Sequence, residues 1–231
     1  MQVAAIQTTP VPDLAGNAAE HARLIAEAAT RGAHVCVFPE LSLTGYTLDP
    51  TRAFTEDDDH WAPIRSACAS NDTYALVGAP LSTPDGPQVA TVVIGPTGET
   101  LGHYAKRHLH GAETERYTPG DHHLLLEVDG WTLGLAVCAD AAAPSHAVEV
   151  SAGGADVYVV SALYTNGSES RIAEQLGHAA GLGMWAVLAQ FTGHTGGYDT
   201  CGGSGVWRPG GAVEIRLGRD PGIAVATLTR P

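Results

Sequence analysis

The chain alternates short apolar runs with stretches of helical periodicity, and this alternation constrains its fold more than any other feature. Residues 3–7 read as a brief apolar strand. Asn17-x-x-Glu20 resembles a capping box that opens a helix running to about Thr30, with Leu24, Ile25, Ala28 and Ala29 as its apolar face and Gly32 as its stop. Residues 34–38 form a near-continuous apolar strand, the pattern of a sheet covered on both faces. A helix at 61–69 leads to a strand at 74–78. Residues 89–94 and 99–104 are predicted to pair as a hairpin through Gly95-Pro96-Thr97-Gly98. A second hairpin joins 124–128 to 132–137 through the Asp129-Gly130 turn. Helices near 146–152 and 169–182 then alternate with strands at 156–160 and 185–191, and short strands follow around Val206, 213–217 and 223–228. Strands alternating with helices and interrupted by hairpins define a mixed-sheet α/β layer fold. No linker, repeat or low-complexity tract divides residues 1–231, so one domain is expected.

Charge narrows the partners. With 25 acidic residues against 12 basic ones the formal net charge is −13, and no Lys/Arg cluster concentrates positive charge. Phosphate backbones and anionic headgroups are repelled by such a surface, so neither nucleic acid nor membrane is an expected partner. The opening Met1-Gln2-Val3-Ala4-Ala5-Ile6-Gln7 has no basic n-region or cleavage pattern, and no stretch approaches the roughly 20 apolar residues of a spanning helix, which predicts a cytoplasmic protein. Cys36, Cys68, Cys138 and Cys201 are widely spaced with no C-x-x-C pair, so free thiols are expected. Cys36 in an apolar strand and Cys68 on a helix face read as small buried hydrophobes, whereas Cys201, in a Gly-rich loop, reads as open to solvent.

Three ionisable residues, Glu40, Lys106 and Cys138, each stand directly after a predicted strand, where open α/β sheets place their ligand sites. Alone, a strand-end Glu or Lys is ordinarily a solvated residue. The surrounding residues add to the case. Phe38-Pro39-Glu40-Leu41-Ser42-Leu43-Thr44-Gly45-Tyr46, Tyr104-Ala105-Lys106-Arg107-His108-Leu109 with Glu113 and Tyr117-Thr118-Pro119-Gly120-Asp121 beyond it, and Gly134-Leu135-Ala136-Val137-Cys138-Ala139-Asp140 occur in that order. In these motifs, and in the opening Val3-Ala4-Ala5-Ile6-Gln7 and the later Gly154-Ala155-Asp156-Val157, the chain resembles the nitrilase superfamily of carbon–nitrogen hydrolases over nearly its whole length.

The resemblance implies a four-layer α-β-β-α sandwich, a Glu40–Lys106–Cys138 triad, and a homodimer or higher oligomer paired through helices. It also implies a supporting carboxylate at Glu113, a role for which Glu115 is close enough in sequence to compete. No cofactor and no metal are expected. The chemistry explains the residue types. A thiol is only a few per cent thiolate at neutral pH, so a nearby carboxylate that takes its proton makes Cys138 an effective nucleophile. Glu40 is the candidate base. Attack on an amide carbon creates an oxyanion that Lys106 and the backbone N–H of Ala139 would stabilise, and water would then release the thioester with Glu40 again as base. The expected substrates are a small linear amide and water. Transfer of the acyl group to an amine and a catalytically silent binding subunit are the alternative readings.

Rival chemistries fit less well. His103, His108, His110, His122 and His123 match no compact metal-ligand spacing, and His108 belongs with the Lys106 segment. Gly181-x-Gly183-x-x-Ala186 precedes a strand, not a helix, so it lacks phosphate-binding geometry. Gly202-Gly203-Ser204-Gly205 lacks the glycine spacing of a serine elbow, and the resemblance instead implies a late loop near the site. The chain departs from the family after the nucleophile. Ala142 and Ser145 stand where many members carry Arg and Glu, and Ala139 is neither the Trp typical of true nitrilases nor the Tyr common in amidases, which argues against nitrile hydrolysis or for a widened pocket. The sequence ends at Pro231, so the C-terminal tail that often crosses between subunits in this family is expected to be short or missing. Tyr46, Tyr164 and Trp207 are candidate pocket walls, with Tyr46 and Tyr164 as substrate-binding candidates.

Overall fold

The computed structural model describes residues 1–230. The first half holds β1 (Gln2–Gln7), α1 (Leu14–Thr30), β2 (Val35–Val37), α2 (Ala62–Asn71), β3 (Tyr74–Thr83), β4 (Gly86–Ile94) and β5 (Thr100–Ala105). The second holds β6 (Leu125–Val128), β7 (Trp131–Val137), α3 (Ala139–Ala142), α4 (Pro144–Ala152), β8 (Val157–Ala162), α5 (Glu169–Gly181) and β9 (Trp185–Gln190). It ends with β10 (Thr192–Thr195), β11 (Tyr198–Cys201), β12 (Gly205–Trp207), β13 (Val213–Arg216) and β14 (Gly222–Thr227). Two six-stranded sheets result, ordered β14-β1-β2-β3-β4-β5 and β13-β12-β9-β8-β7-β6. In each, a parallel trio (β1, β2, β3 and β7, β8, β9) is extended outward by antiparallel strands.

Alternation of side chains along the strands separates three buried layers. Between the sheets, Val3, Val35, Val37, Leu76 and Val93 of the first meet Leu133, Leu135, Val157, Val159 and Val187 of the second. The opposite face of the first sheet packs Ile6, Cys36, Phe38 and Val77 against Leu24, Ile25 and Ala28 of α1 and Ile64 and Cys68 of α2. The opposite face of the second packs Ala136, Tyr158, Val160 and Leu188 against Val150 of α4 and Ile172, Leu176 and Ala180 of α5. This is an α-β-β-α sandwich, and sheets apolar on both faces explain the continuous hydrophobic runs in the sequence.

Two local expectations are corrected, and one element is additional. Helix α1 begins earlier than the Asn17 motif suggests: Asp13 is the N-cap and accepts from the N–H groups of Ala15 and Gly16. Asn17 is instead buried, its amide bonded to both backbone groups of Val11 and to the Leu43 carbonyl. Cys201 is buried, not exposed, and its sulfur accepts from Gln190 Nε2. The β10–β11 ribbon has no counterpart in the apolar pattern, because His194, Gly196 and Gly197 at its tip face solvent.

Candidate active site

The loop after β2 presents Glu40. Ser42 and Leu43 fasten it to α1, Ser42 Oγ lying 2.9 Å from His21 Nε2 and Leu43 O accepting from Asn17. Leu41 takes a φ of 52°, turning the chain sharply after Glu40. The loop lies directly on β3, where a Cβ at Gly78 would sit 2.1 Å from the Pro39 carbonyl oxygen and 2.5 Å from the Leu41 nitrogen. Only glycine permits that approach.

Lys106 leaves β5 with its N–H donating to Val89 O at 2.8 Å and its carbonyl accepting from Gly120 at 2.9 Å. Cys138 leaves β7 at φ 45°, ψ −96°, a conformation that L-residues rarely adopt, and its N–H donates to Ser161 O at 2.9 Å. Such a backbone outlier, held by its surroundings, often marks a functional position.

Asp140 joins these two segments. Fully buried, it accepts from Val137 N–H (2.9 Å), Tyr104 OH (2.8 Å) and His108 N–H (2.9 Å), and its Oδ1 lies 2.8 Å from His108 Nδ1. It thereby fixes the strand before Cys138 to the residues flanking Lys106. Tyr104 in turn meets His146 Nε2 at 2.9 Å.

At the centre lies a buried carboxylate–ammonium–carboxylate cluster. Lys106 Nζ is 2.6 Å from Glu40 Oε1 and 2.8 and 2.7 Å from the two oxygens of Glu113. Glu113 also accepts from His110 N–H at 2.9 Å and Tyr46 OH at 2.9 Å. Glu115, the sequence competitor, is exposed, so Glu113 alone of the two enters the cluster. Glu40 Oε2 is buried without a hydrogen-bond partner among the described residues, while Cys138 Sγ is 3.7 Å from the Leu163 carbonyl oxygen.

Burial pushes the Glu40 carboxyl well above the usual carboxylate range, against the lowering pull of Lys106 and with a further upward push from Glu113. The Cys138 thiol is pushed up to about 12 by burial and by the Glu40 charge. It therefore rests as a thiol at neutral pH. Burial alone would lower Lys106, but Glu40, Cys138 and Glu113 outweigh it and hold the ammonium firmly protonated.

A cavity of about 220 Å³ opens at the sulfur, lined by His110, Cys138, Ala139, Ala142, Tyr164, Arg171 and Gln175. Ala139 opens α3, so its N–H lacks an intrahelical acceptor. Tyr164 is thus a wall of the cavity. Tyr46 approaches the cluster through Glu113 but lines a separate surface hollow with Leu48, Arg116 and Tyr198. Trp207 is not a pocket wall, being buried in the outer core of the second sheet. Ser204 is buried between Gln190 and Gln7, bonded to both. The histidines of the sequence are engaged separately: His103 with Glu56, His108 with Asp140, His122 with Asp121 and His123 with Glu149. Sequence reasoning gave no role to Asp140, Arg171 or Gln175. Asp140 stood in the Cys138 motif and was findable there.

The fold is thus a double α/β sandwich with a cysteine at an uncommon φ beside a buried Glu–Lys–Glu cluster. Residues 2–231 match the family described as carbon-nitrogen hydrolase, and the chain belongs to that family. It is 30% identical over 243 residues to a Pseudomonas protegens protein described as "Hydrolase in pqqF 5'region", covering 100% of this chain and 83% of that one. A Mycobacterium tuberculosis hydrolase is 28% identical over 254 residues, covering 99% and 89%. Among solved structures, an amidase from Nesterenkonia sp. AN1 in complex with butyramide superposes with a TM-score of 0.90 at 27% identity, covering 99% of this chain and 90% of the amidase. Another structure of that amidase carries acrylamide added to its active-site cysteine, with the same TM-score of 0.90.

Proposed function

We propose that this chain is a single-domain amidase that hydrolyses small linear amides through a thioester on Cys138. The observation that carries the reading is the free, buried Oε2 of Glu40 in a cluster whose other oxygen is held by Lys106 at 2.6 Å, beside a cysteine at a strained strand end. Lys106 orients the carboxylate and leaves one oxygen to take a proton. Because Cys138 rests as a thiol, Glu40 removes its proton as sulfur attacks the amide carbon. The Lys106 ammonium and the Ala139 N–H receive the oxyanion, a contribution of about 2–4 kcal/mol per donor. Glu40, now protonated, gives its proton to the departing amine, then deprotonates the water that cleaves the thioester. Glu113, held by Tyr46 and His110, keeps Lys106 aimed between the two carboxylates.

The Nesterenkonia amidase complexes support the amide assignment, since one holds butyramide and another an adduct at the active-site cysteine. The test is hydrolysis of butyramide and related amides, with release of ammonia and free acid measured with and without an added amine. Free acid as the main product in both conditions supports hydrolysis. Amide exchange dominating over acid points to acyl transfer instead. Undiminished turnover in Cys138→Ala overturns the mechanism.

A further inference from the structure

The cavity at Cys138 contains a cation that the amidase chemistry does not use. Arg171 lies in the first turn of α5, exposed, with no ion pair or hydrogen bond among the described residues. In a chain with 25 acidic residues, seven of the nine ion pairs that use arginine or lysine among the described residues take arginine, yet this arginine has none. Its guanidinium carbon stands 5.9 Å from the centre of the Tyr164 ring, which holds it against the cavity wall. Gln175, one turn further along the same helix, accepts from Tyr164 OH, and its amide nitrogen has no partner among the described residues. Arg171 and Gln175, spaced i and i+4, therefore present donors from one flank of α5 to the cavity that holds the nucleophile.

Beyond these two, the nucleophile and Tyr164, the lining adds His110 as its one further polar side chain. Ala139 and Ala142 are small and apolar, and neither Glu40 nor Glu113 lines the cavity, Lys106 holding one oxygen of the first and both of the second. A neutral acyl chain would leave the Arg171 and Gln175 donors facing water. A carboxylate there would accept from both, and a guanidinium matches a carboxylate in geometry as well as in charge. The volume of about 220 Å³ is roughly seven times the share of one water in the liquid, the scale of a short chain.

We propose that Arg171, with Gln175, forms an anion subsite, so that the preferred substrates are short primary amides carrying a carboxylate at the far end of the acyl chain. This rests on the amidase reading above: in a primary amide the leaving group is ammonia, so the negative charge can sit only on the acyl side. Arg171 is a specificity-determining residue and takes no part in bond making or breaking.

Two measurements test it. Hydrolysis of succinamate is compared with that of butyramide, its neutral counterpart, in the wild-type chain and in Arg171→Met. The wild type is expected to favour succinamate at least tenfold in kcat/KM, and Arg171→Met to abolish that preference while leaving butyramide within threefold. Calorimetric binding of both amides to Cys138→Ala, with and without Arg171→Met, reads the same preference without turnover. There, succinamate is expected to bind at least tenfold more tightly, and only while Arg171 is present. Succinamate binding no tighter than butyramide, including no binding of either, overturns the subsite, as does an equal loss for both amides in Arg171→Met. Absence of turnover with a preserved binding preference would instead count against the amidase reading and leave the subsite standing.

Discussion

At the residue scale the proposed mechanism depends on one proton taken up by Glu40. Its carboxyl is destabilised as an anion chiefly by burial, so its pKa lies well above that of a solvated carboxylate. The ionised form is the base, so activity is present above this raised pKa and is lost as pH falls through it. The acidic limb of the pH–kcat/KM profile should therefore lie nearer neutrality than an ordinary glutamate would place it. Glu40→Gln should lower kcat on a small amide by roughly 10²–10⁴-fold, the usual worth of general acid–base catalysis. A limb at the pKa of a solvated carboxylate, or a Glu40→Gln variant with near-normal kcat, would contradict this assignment. At the residue scale the sequence was informative: Glu40, Lys106, Cys138 and Glu113 are all inside motifs, and the structure brings Glu40 and Glu113 each within hydrogen-bond distance of Lys106.

At the element scale the site depends on how closely three strand ends are pressed together. Gly78 lets the Glu40 loop lie on β3, and a Cβ there would sit 2.1 Å from the Pro39 oxygen. Gly78→Ala should displace the loop, reducing kcat/KM by tenfold or more, read in a steady-state assay beside a thermal melt. Asp140 ties β7 to the Lys106 segment through four polar contacts. Replacing it with Ala strands several buried donors, each worth ~1–3 kcal/mol. Asp140→Ala should lower unfolding stability by about 3 kcal/mol or more, measured by the urea midpoint at unchanged slope. Neither dependence was visible in the sequence, because each exists only once distant segments meet. The misplaced start of α1 has the same origin. Asn17 carries a local capping signal, but burial against Val11 and Leu43 claims its side chain, and Asp13 caps the helix instead.

At the scale of the whole molecule, Gln7 closes the sandwich. Fully buried at the end of β1, its Oε1 accepts from Ser204 N–H beside β12, and its Nε2 donates to the carbonyls of Gly218 and Asp220 before β14. Beside it, Thr8 and Phe191 form a parallel bridge between the chains leaving β1 and β9. Gln7→Ala leaves the buried Ser204 N–H without its partner and removes the ties to Gly218 and Asp220, and should lower stability by about 1–3 kcal/mol, seen as a lower urea midpoint. An unchanged midpoint would show that the sheets are held elsewhere. The layer order could be read from the alternating strand and helix pattern, since sheets covered on both faces need continuous apolar strands. The β10–β11 ribbon could not, being short, polar and exposed at its tip. Arg171 was equally hidden, because nothing in the sequence of α5 shows that its flank faces Cys138.

The central claim, that Cys138 carries the acyl group, is tested most directly by intact-mass spectrometry of the chain mixed with butyramide and quenched in acid, with the adduct mapped by peptide digestion. The account predicts a mass increase equal to the butyryl group on the peptide containing Cys138, lost in Cys138→Ala together with turnover. Turnover that persists in Cys138→Ala, or an acyl group mapped to another residue, would contradict it.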